Sequence, residues 1–172
     1  MHMDSSIILQ STLDCFEKHR KEKGTQFDKE SFLDFLLSEP KRIKGIHNSF
    51  EGKRRFFSFW KQIQLENGIC FSIKDQEKQY SLDKFVSRIE ELKDNPKSSK
   101  AALRHQMKYG FEWNIFIFMN AILIVLFMLL FQWPFMVAVT LIIIAYSNYK
   151  LVSFYFKEKN YLNTLMNKLD QL

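Results

Sequence analysis

The chain has 172 residues, a formal net charge of +6 and a mean hydropathy of −0.21, averages that describe a basic soluble domain. The average conceals two unlike halves: Trp113 through Tyr149 is a run of 37 residues without Asp, Glu, Lys, Arg or His. That run excludes a purely soluble protein and leaves room for one domain of about 100 residues ahead of a membrane segment.

From the N-terminus, Met1–Gln10 holds only the short apolar run Ile7–Leu9, so no signal peptide is expected. A first helix is expected from Asp4 or Ser5 to about Lys21, with Leu9, Leu13 and Phe16 on one face and Gly24 beyond its end. A second starts at Asp28, a good N-cap, and stops before Pro40, which suits the first position of a third helix. In that third helix Ile43, Ile46, Phe50, Phe57 and Trp60 keep a helical stripe, and Gly45 and Gly52 weaken it enough to expect a break near 51–52. Asn67-Gly68 ends it.

The charge is concentrated in the same stretch. Residues 1–39 carry 5 Lys/Arg against 8 Asp/Glu, whereas residues 40–61 carry 7 against 1. A block that basic suits a phosphate-bearing partner, whether nucleotide, single-stranded nucleic acid or acidic lipid; a solvated helix face is the plain alternative. Lys41, Arg42, Lys44, Lys53, Arg54, Arg55 and Lys61 are the candidate phosphate ligands. They interleave with aromatics, of which Phe56 and Trp60 are candidates for base stacking, against the alternative that Phe57 and Trp60 are core. Arg42-x4-His47 has the spacing of the ribonuclease motif in HEPN domains, but Ile43 stands where those enzymes usually carry a polar residue. No Gly-rich phosphate loop, nucleophile–base pair or HExxH occurs, so no catalytic residue is assigned and an enzyme is not expected. Cys15 and Cys70 lie far apart with no CxxC, which gives no metal site, fits a reducing compartment and calls for no cofactor.

Beyond Gly68, "ICFSI" alternates and Gln79-Tyr80 returns after a polar turn, a short β-hairpin on this reading. Ser81 caps a further helix with Leu82, Phe85, Val86, Ile89 and Leu92 facing the core, and Asn95-Pro96 closes the domain. Three helices, a hairpin and a helix match the order of a winged helix. Residues 1–96 are thus read as a basic cytoplasmic helical domain and 97–112 as a helical stalk.

The uncharged run is too long for one crossing, since at about 1.5 Å per residue it would reach roughly 55 Å against a hydrocarbon core of about 30 Å. Phe131-Gln132-Trp133-Pro134 breaks it, giving spans of about Trp113–Phe131 and Phe135–Phe156, a two-helix hairpin over 113–156. Lys and Arg flank the outer ends and are missing from the turn, so both termini are expected on the cytoplasmic side of the inner membrane. Asn120, Thr140 and Ser147 are the polar positions that could line a pore, helix–helix packing being the simpler reading. In the tail, 157–172, Leu162, Leu165, Leu169 and Leu172 form an apolar seam suited to self-association or to packing on the membrane or the N-terminal domain.

The expected fold is therefore mostly α, with a membrane hairpin and an amphipathic C-terminal helix. In layout the whole chain resembles the small membrane effectors of bacterial antiphage systems (CBASS, Pycsar, type III CRISPR and the DNA-gated Hailong channel), a resemblance of arrangement rather than of motif. It implies a homo-oligomeric channel or pore controlled by a nucleotide or nucleic acid bound to the cytoplasmic domain. A membrane-anchored adaptor that docks a protein or acidic lipid is the alternative, and a tethered HEPN-like ribonuclease a more distant one.

Overall fold

Aromatic residues from three helices and three connections gather around Phe85. Its ring lies 5.4 Å from Phe32, 5.7 Å from Phe59, 5.2 Å from Trp60 and 5.5 Å from Phe71. Phe16 joins through Phe27 and Phe32. Edge and offset contacts of this kind add about 0.5–1.5 kcal/mol per pair to the burial itself. In the computed structural model, residues 5–37, 46–78, 80–109, 113–130 and 132–171 are described. The regular elements are α1 (Ser5–His19), a 3-10 turn (Lys29–Ser31), α2 (Asp34–Leu37), α3 (Ile46–Asn67), α4 (Ile73–Gln76), α5 (Leu82–Asp94), α6 (Pro96–Tyr109), α7 (Trp113–Leu130) and α8 (Pro134–Asp170). The protein is mostly helical, and among the described residues there is no strand.

The chain divides into two compact units, Met1–Leu103 with Thr164–Leu172, and Arg104–Asn163. It passes from the first to the second within α6 and returns within α8.

In the first unit several expectations are revised. Asp28 does act as a cap, accepting from the Glu30 N–H, but it opens only a 3-10 turn, and α2 beyond it is a single turn. The expected helix start at Pro40 lies outside the described residues. α3 runs unbroken through Gly52, because this glycine serves an approach rather than a break: a Cβ there would stand 2.2 Å from the Leu37 carbonyl oxygen. Gly52→Ala should therefore lose about 1–3 kcal/mol through the forced separation of α2 and α3, despite the helix propensity of alanine. Urea denaturation of the purified chain measures it; an unchanged midpoint would remove the close-approach explanation. The core stripe of α3 keeps Trp60 from the expected set but not Phe50 or Phe57. Phe59, Trp60 and Ile63 are buried, while Phe57 and Phe50 are 51% and 69% exposed.

The expected β-hairpin is replaced by a buried connection and a capped turn. Ile69, Cys70 and Phe71 are fully buried, and the Gln64 side chain carbonyl accepts from the Phe71 N–H at 3.1 Å, giving that amide a partner without a strand. Ser72 and Asp75 then form a reciprocal capping box that starts α4, so the chain turns helical where alternation suggested extension. Gln79 lies outside the described residues. Asn67-Gly68 does end α3, with Gly68 at φ 61°.

Asp75 gathers hydrogen bonds from three other residues. It accepts from Ser72 N and Oγ, from the Tyr80 hydroxyl, and from Arg88 through both Nε and Nη2 at 3.1 Å. Burial acts to raise its pKa, but the hydrogen bonds from Arg88, Ser72 and Tyr80 outweigh it and hold the carboxyl below its ordinary value. Tyr80 is correspondingly pushed up to about 12 by burial and by its bond to Asp75.

The end of α8 belongs to this same unit. Leu165 and Leu169 are fully buried, the Lys168 ammonium donates to the Leu65 and Glu66 carbonyls at 2.6 and 3.2 Å, and Lys100 pairs with Asp170 at 3.0 Å. A cation on the last carbonyls of α3 is where the helix dipole favours one. Leu165 and Leu169 of the tail seam are thus covered within this unit. No break separates the tail from the apolar segment, since α8 is one helix of 37 residues.

The second unit holds α7 and most of α8. Phe135–Asp170 is the one helix among the described residues long and apolar enough to cross a membrane; Asn120–Leu129 is a shorter apolar helix. α7 has 18 residues, roughly 27 Å of helix, against a hydrocarbon core of about 30 Å. Pro134 opens α8 at the expected break. Large apolar side chains, among them Phe118, Leu129, Phe135 and Ile142, stand exposed on both helices. Between them Asn120 and Asn148 exchange hydrogen bonds, amide to amide, at 3.2 and 3.0 Å. Asn120→Leu should weaken the pairing of α7 with α8 by about 1 kcal/mol, and Asn148→Leu in the same background should add little further. A double-mutant cycle of unfolding in bicelles checks this, and additive losses would show that the two amides act separately.

Candidate anion-binding cleft

The C-terminal end of α1 carries Lys18, His19 and, one residue beyond, Arg20; α3 brings Glu51, Arg54, Arg55 and Ser58 against them. Together these seven residues line an open cleft of about 420 Å³. Two contacts fix the helices at this place. His19 Nε2 meets Gln62 Oε1 at 2.8 Å, and the Cys15 thiol lies 3.9 Å from the Phe59 carbonyl. The Lys and Arg side chains would repel one another here without a counter-charge, and Glu51 is the one carboxylate lining the cleft.

Arg20 is held in place with unusual firmness for a basic residue. Its side chain is 2% exposed, doubly bonded to Glu17 through Nε at 2.9 Å and Nη2 at 2.6 Å, and its guanidinium lies 5.3 and 5.4 Å from the Phe16 and Phe27 ring centroids. Glu17 also accepts from the Gly24 N–H, so the loop after α1 closes over the pair. Arg20 Nη1 nevertheless finds no acceptor among the described residues, and neither does Arg55 Nη2. Arg55 directs other donors to the Leu36 carbonyl at 3.3 Å and to a long 3.9 Å contact with Glu51. A buried guanidinium nitrogen without an acceptor costs free energy that an oxygen anion entering the cleft would recover.

Of the expected phosphate ligands, Arg54 and Arg55 line the cleft, while Lys53 is exposed and Lys61 is half-buried, neither being part of its lining. Lys41, Arg42 and Lys44 lie outside the described residues, as does the His47 side chain, and with them the HEPN-like pair. Trp60 is 1% exposed and packed against Phe71, so it offers no ring face to a base; Phe56 is half-buried against Trp60. Lys18, His19 and Arg20 are not among the expected ligands. Their signal is the local run Lys18-His19-Arg20-Lys21, hidden by the acidic balance of residues 1–39. Both thiols are buried, and burial pushes each up to about 12, which leaves neither as a thiolate nucleophile near neutral pH.

In the apolar unit, Asn120 is engaged with Asn148, and the Thr140 hydroxyl donates to the Met136 carbonyl at 2.8 Å and is buried; Ser147 is half-buried. Compared with protein-family models, with curated proteins and with solved structures, the chain matches none.

Proposed function

We propose that the protein is a ligand-controlled membrane effector: its cytoplasmic unit binds a nucleotide or single-stranded nucleic acid through phosphate, and its apolar helices, assembled with those of other copies, permeabilise the inner membrane. The observation that carries the reading is the cleft with its two guanidinium nitrogens lacking acceptors. α7 and α8 would insert as a two-span hairpin with both termini cytoplasmic, as the Lys and Arg flanking them favour. The whole chain shares its layout with antiphage membrane effectors, which is why defence is the proposed setting. α3 carries the cleft near one end and holds Lys168 of α8 on its last carbonyls. A ligand that favours one placement of α3 would thereby bias α8, a population shift rather than a new contact in the membrane.

A second reading, a membrane-anchored adaptor, is favoured by the Asn120–Asn148 exchange, which satisfies within one chain the amides a pore would use. Dye release from liposomes carrying the full chain separates the two. An effector releases dye in response to phosphate-bearing ligand, and an anchor releases none at any protein-to-lipid ratio.

A further inference from the structure

We infer that the ligand of this cleft is single-stranded nucleic acid, and that Phe50 and Phe57 of α3 are the platform on which its bases stack. The inference rests on the reading of the cleft as a phosphate site. Phe50, Lys53, Arg54 and Phe57 recur at helical spacing, so they share one face of α3, and all four are exposed. Arg54 belongs both to this face and to the cleft lining, which puts the aromatic rings one turn to either side of a phosphate-binding cation.

In the rest of the unit Phe16, Phe32, Phe59, Phe71 and Phe85 are fully buried, so two phenyl rings left 69% and 51% open beside cations stand apart. Cations that hold phosphates, interleaved with ring faces open to bases, are the two components of sequence-tolerant single-strand binding. The rings stand seven residues apart, roughly 10 Å along the helix, so two bases rather than one would occupy them. A bilayer surface also attracts cations and aromatics. A strand matches the cleft and the rings together, with a phosphate at Arg54 in the cleft and its bases on the rings outside it. Phe50 and Phe57 thus replace Phe56 and Trp60 as the stacking residues.

The test uses the full chain in detergent micelles and two fluorescent probes, a short oligothymidylate and an abasic strand of equal length. Stacking gives the oligothymidylate an advantage of at least about tenfold. Phe50→Ala with Phe57→Ala removes that advantage and leaves the abasic affinity unchanged, whereas Arg54→Glu weakens both probes. Both rings are exposed, so the double variant keeps its core, which its unchanged thermal unfolding confirms. Equal affinity for the two strands, or an advantage that survives the double variant, overturns the stacking platform; abasic binding that still depends on Arg54 would leave the phosphate reading standing. No binding of either strand overturns the inference and the phosphate reading for nucleic acid together. A double variant that loses binding only to phosphatidylserine-containing vesicles would make the face a membrane contact and overturn it as well.

Discussion

Replacing Asp75 with Ala is expected to destabilise the N-terminal unit by about 3 kcal/mol. Removing one partner of a buried, hydrogen-bonded ion pair typically costs about 3–5 kcal/mol, and the lower end applies because the Arg88 side chain remains 24% exposed and keeps Glu91 at 2.6 Å. The loss has three parts: the Ser72–Asp75 capping box that starts α4, the acceptor of the Tyr80 hydroxyl, and the anchor of Arg88 on α5. Hydrogen exchange over residues 69–94 of the full chain reads it as lost protection in α4 and α5 beyond that in α1. The effect also has a definite pH sense. The folded-state pKa of Asp75 is lowered, so its contribution is present above the ordinary value of 3.8 and disappears as pH falls through the lower folded value. The stability gap between the wild-type chain and Asp75→Asn should accordingly narrow below about pH 4. A gap that widened on acidification would mean that the carboxyl is not held ionised by Arg88.

The second large effect is on binding. Arg54→Glu with Arg55→Glu is expected to lower affinity for a phosphate-bearing ligand by about a hundredfold or more, since each lost charged hydrogen bond is worth about 1.5–3 kcal/mol and 1.4 kcal/mol is tenfold. Two fewer phosphate contacts should also flatten the salt dependence for a single strand, by a slope of about 1.4 in log affinity against log salt. Arg55 donates to the Leu36 carbonyl and touches Glu51, so its reversal also disturbs the approach of α2 to α3. Arg54→Glu alone is the cleaner measure, because Arg54 is exposed and lines the cleft. Lys18→Glu, on the facing helix, should act in the same direction, which a site confined to α3 would not explain.

Much of the helical framework is legible in the sequence. Capping residues, the Asn67-Gly68 stop and the run of five apolar positions from Leu82 to Leu92 mark elements that the structure contains. The failures have local physical causes. Gly52 reads as a helix breaker because its role, admitting the Leu37 carbonyl, depends on a neighbour distant in sequence. "ICFSI" alternates like a strand, but Ser72 and Asp75 form the capping pattern that turns the chain, a signal present and outweighed by alternation. Along α3 almost every residue from Phe56 to Trp60 is aromatic, so periodicity does not separate buried Phe59 from exposed Phe57. Leu165 and Leu169 satisfy the same spacing whether covered by a second copy or by the chain's own domain. The candidate site is half legible: summed charge finds Arg54 and Arg55, but only folding brings α1 and its Lys18-His19-Arg20 end to face them.

The most direct measurement compares the molecules that copurify with the wild-type chain and with Arg54→Glu in detergent, by ultraviolet absorbance ratio and mass spectrometry after exposure to cell extract. The expected result is a nucleotide or oligonucleotide on the wild type that is absent from the variant. A phosphate-bearing molecule retained equally by both, or a wild type that stays clean, would contradict the assignment of the cleft.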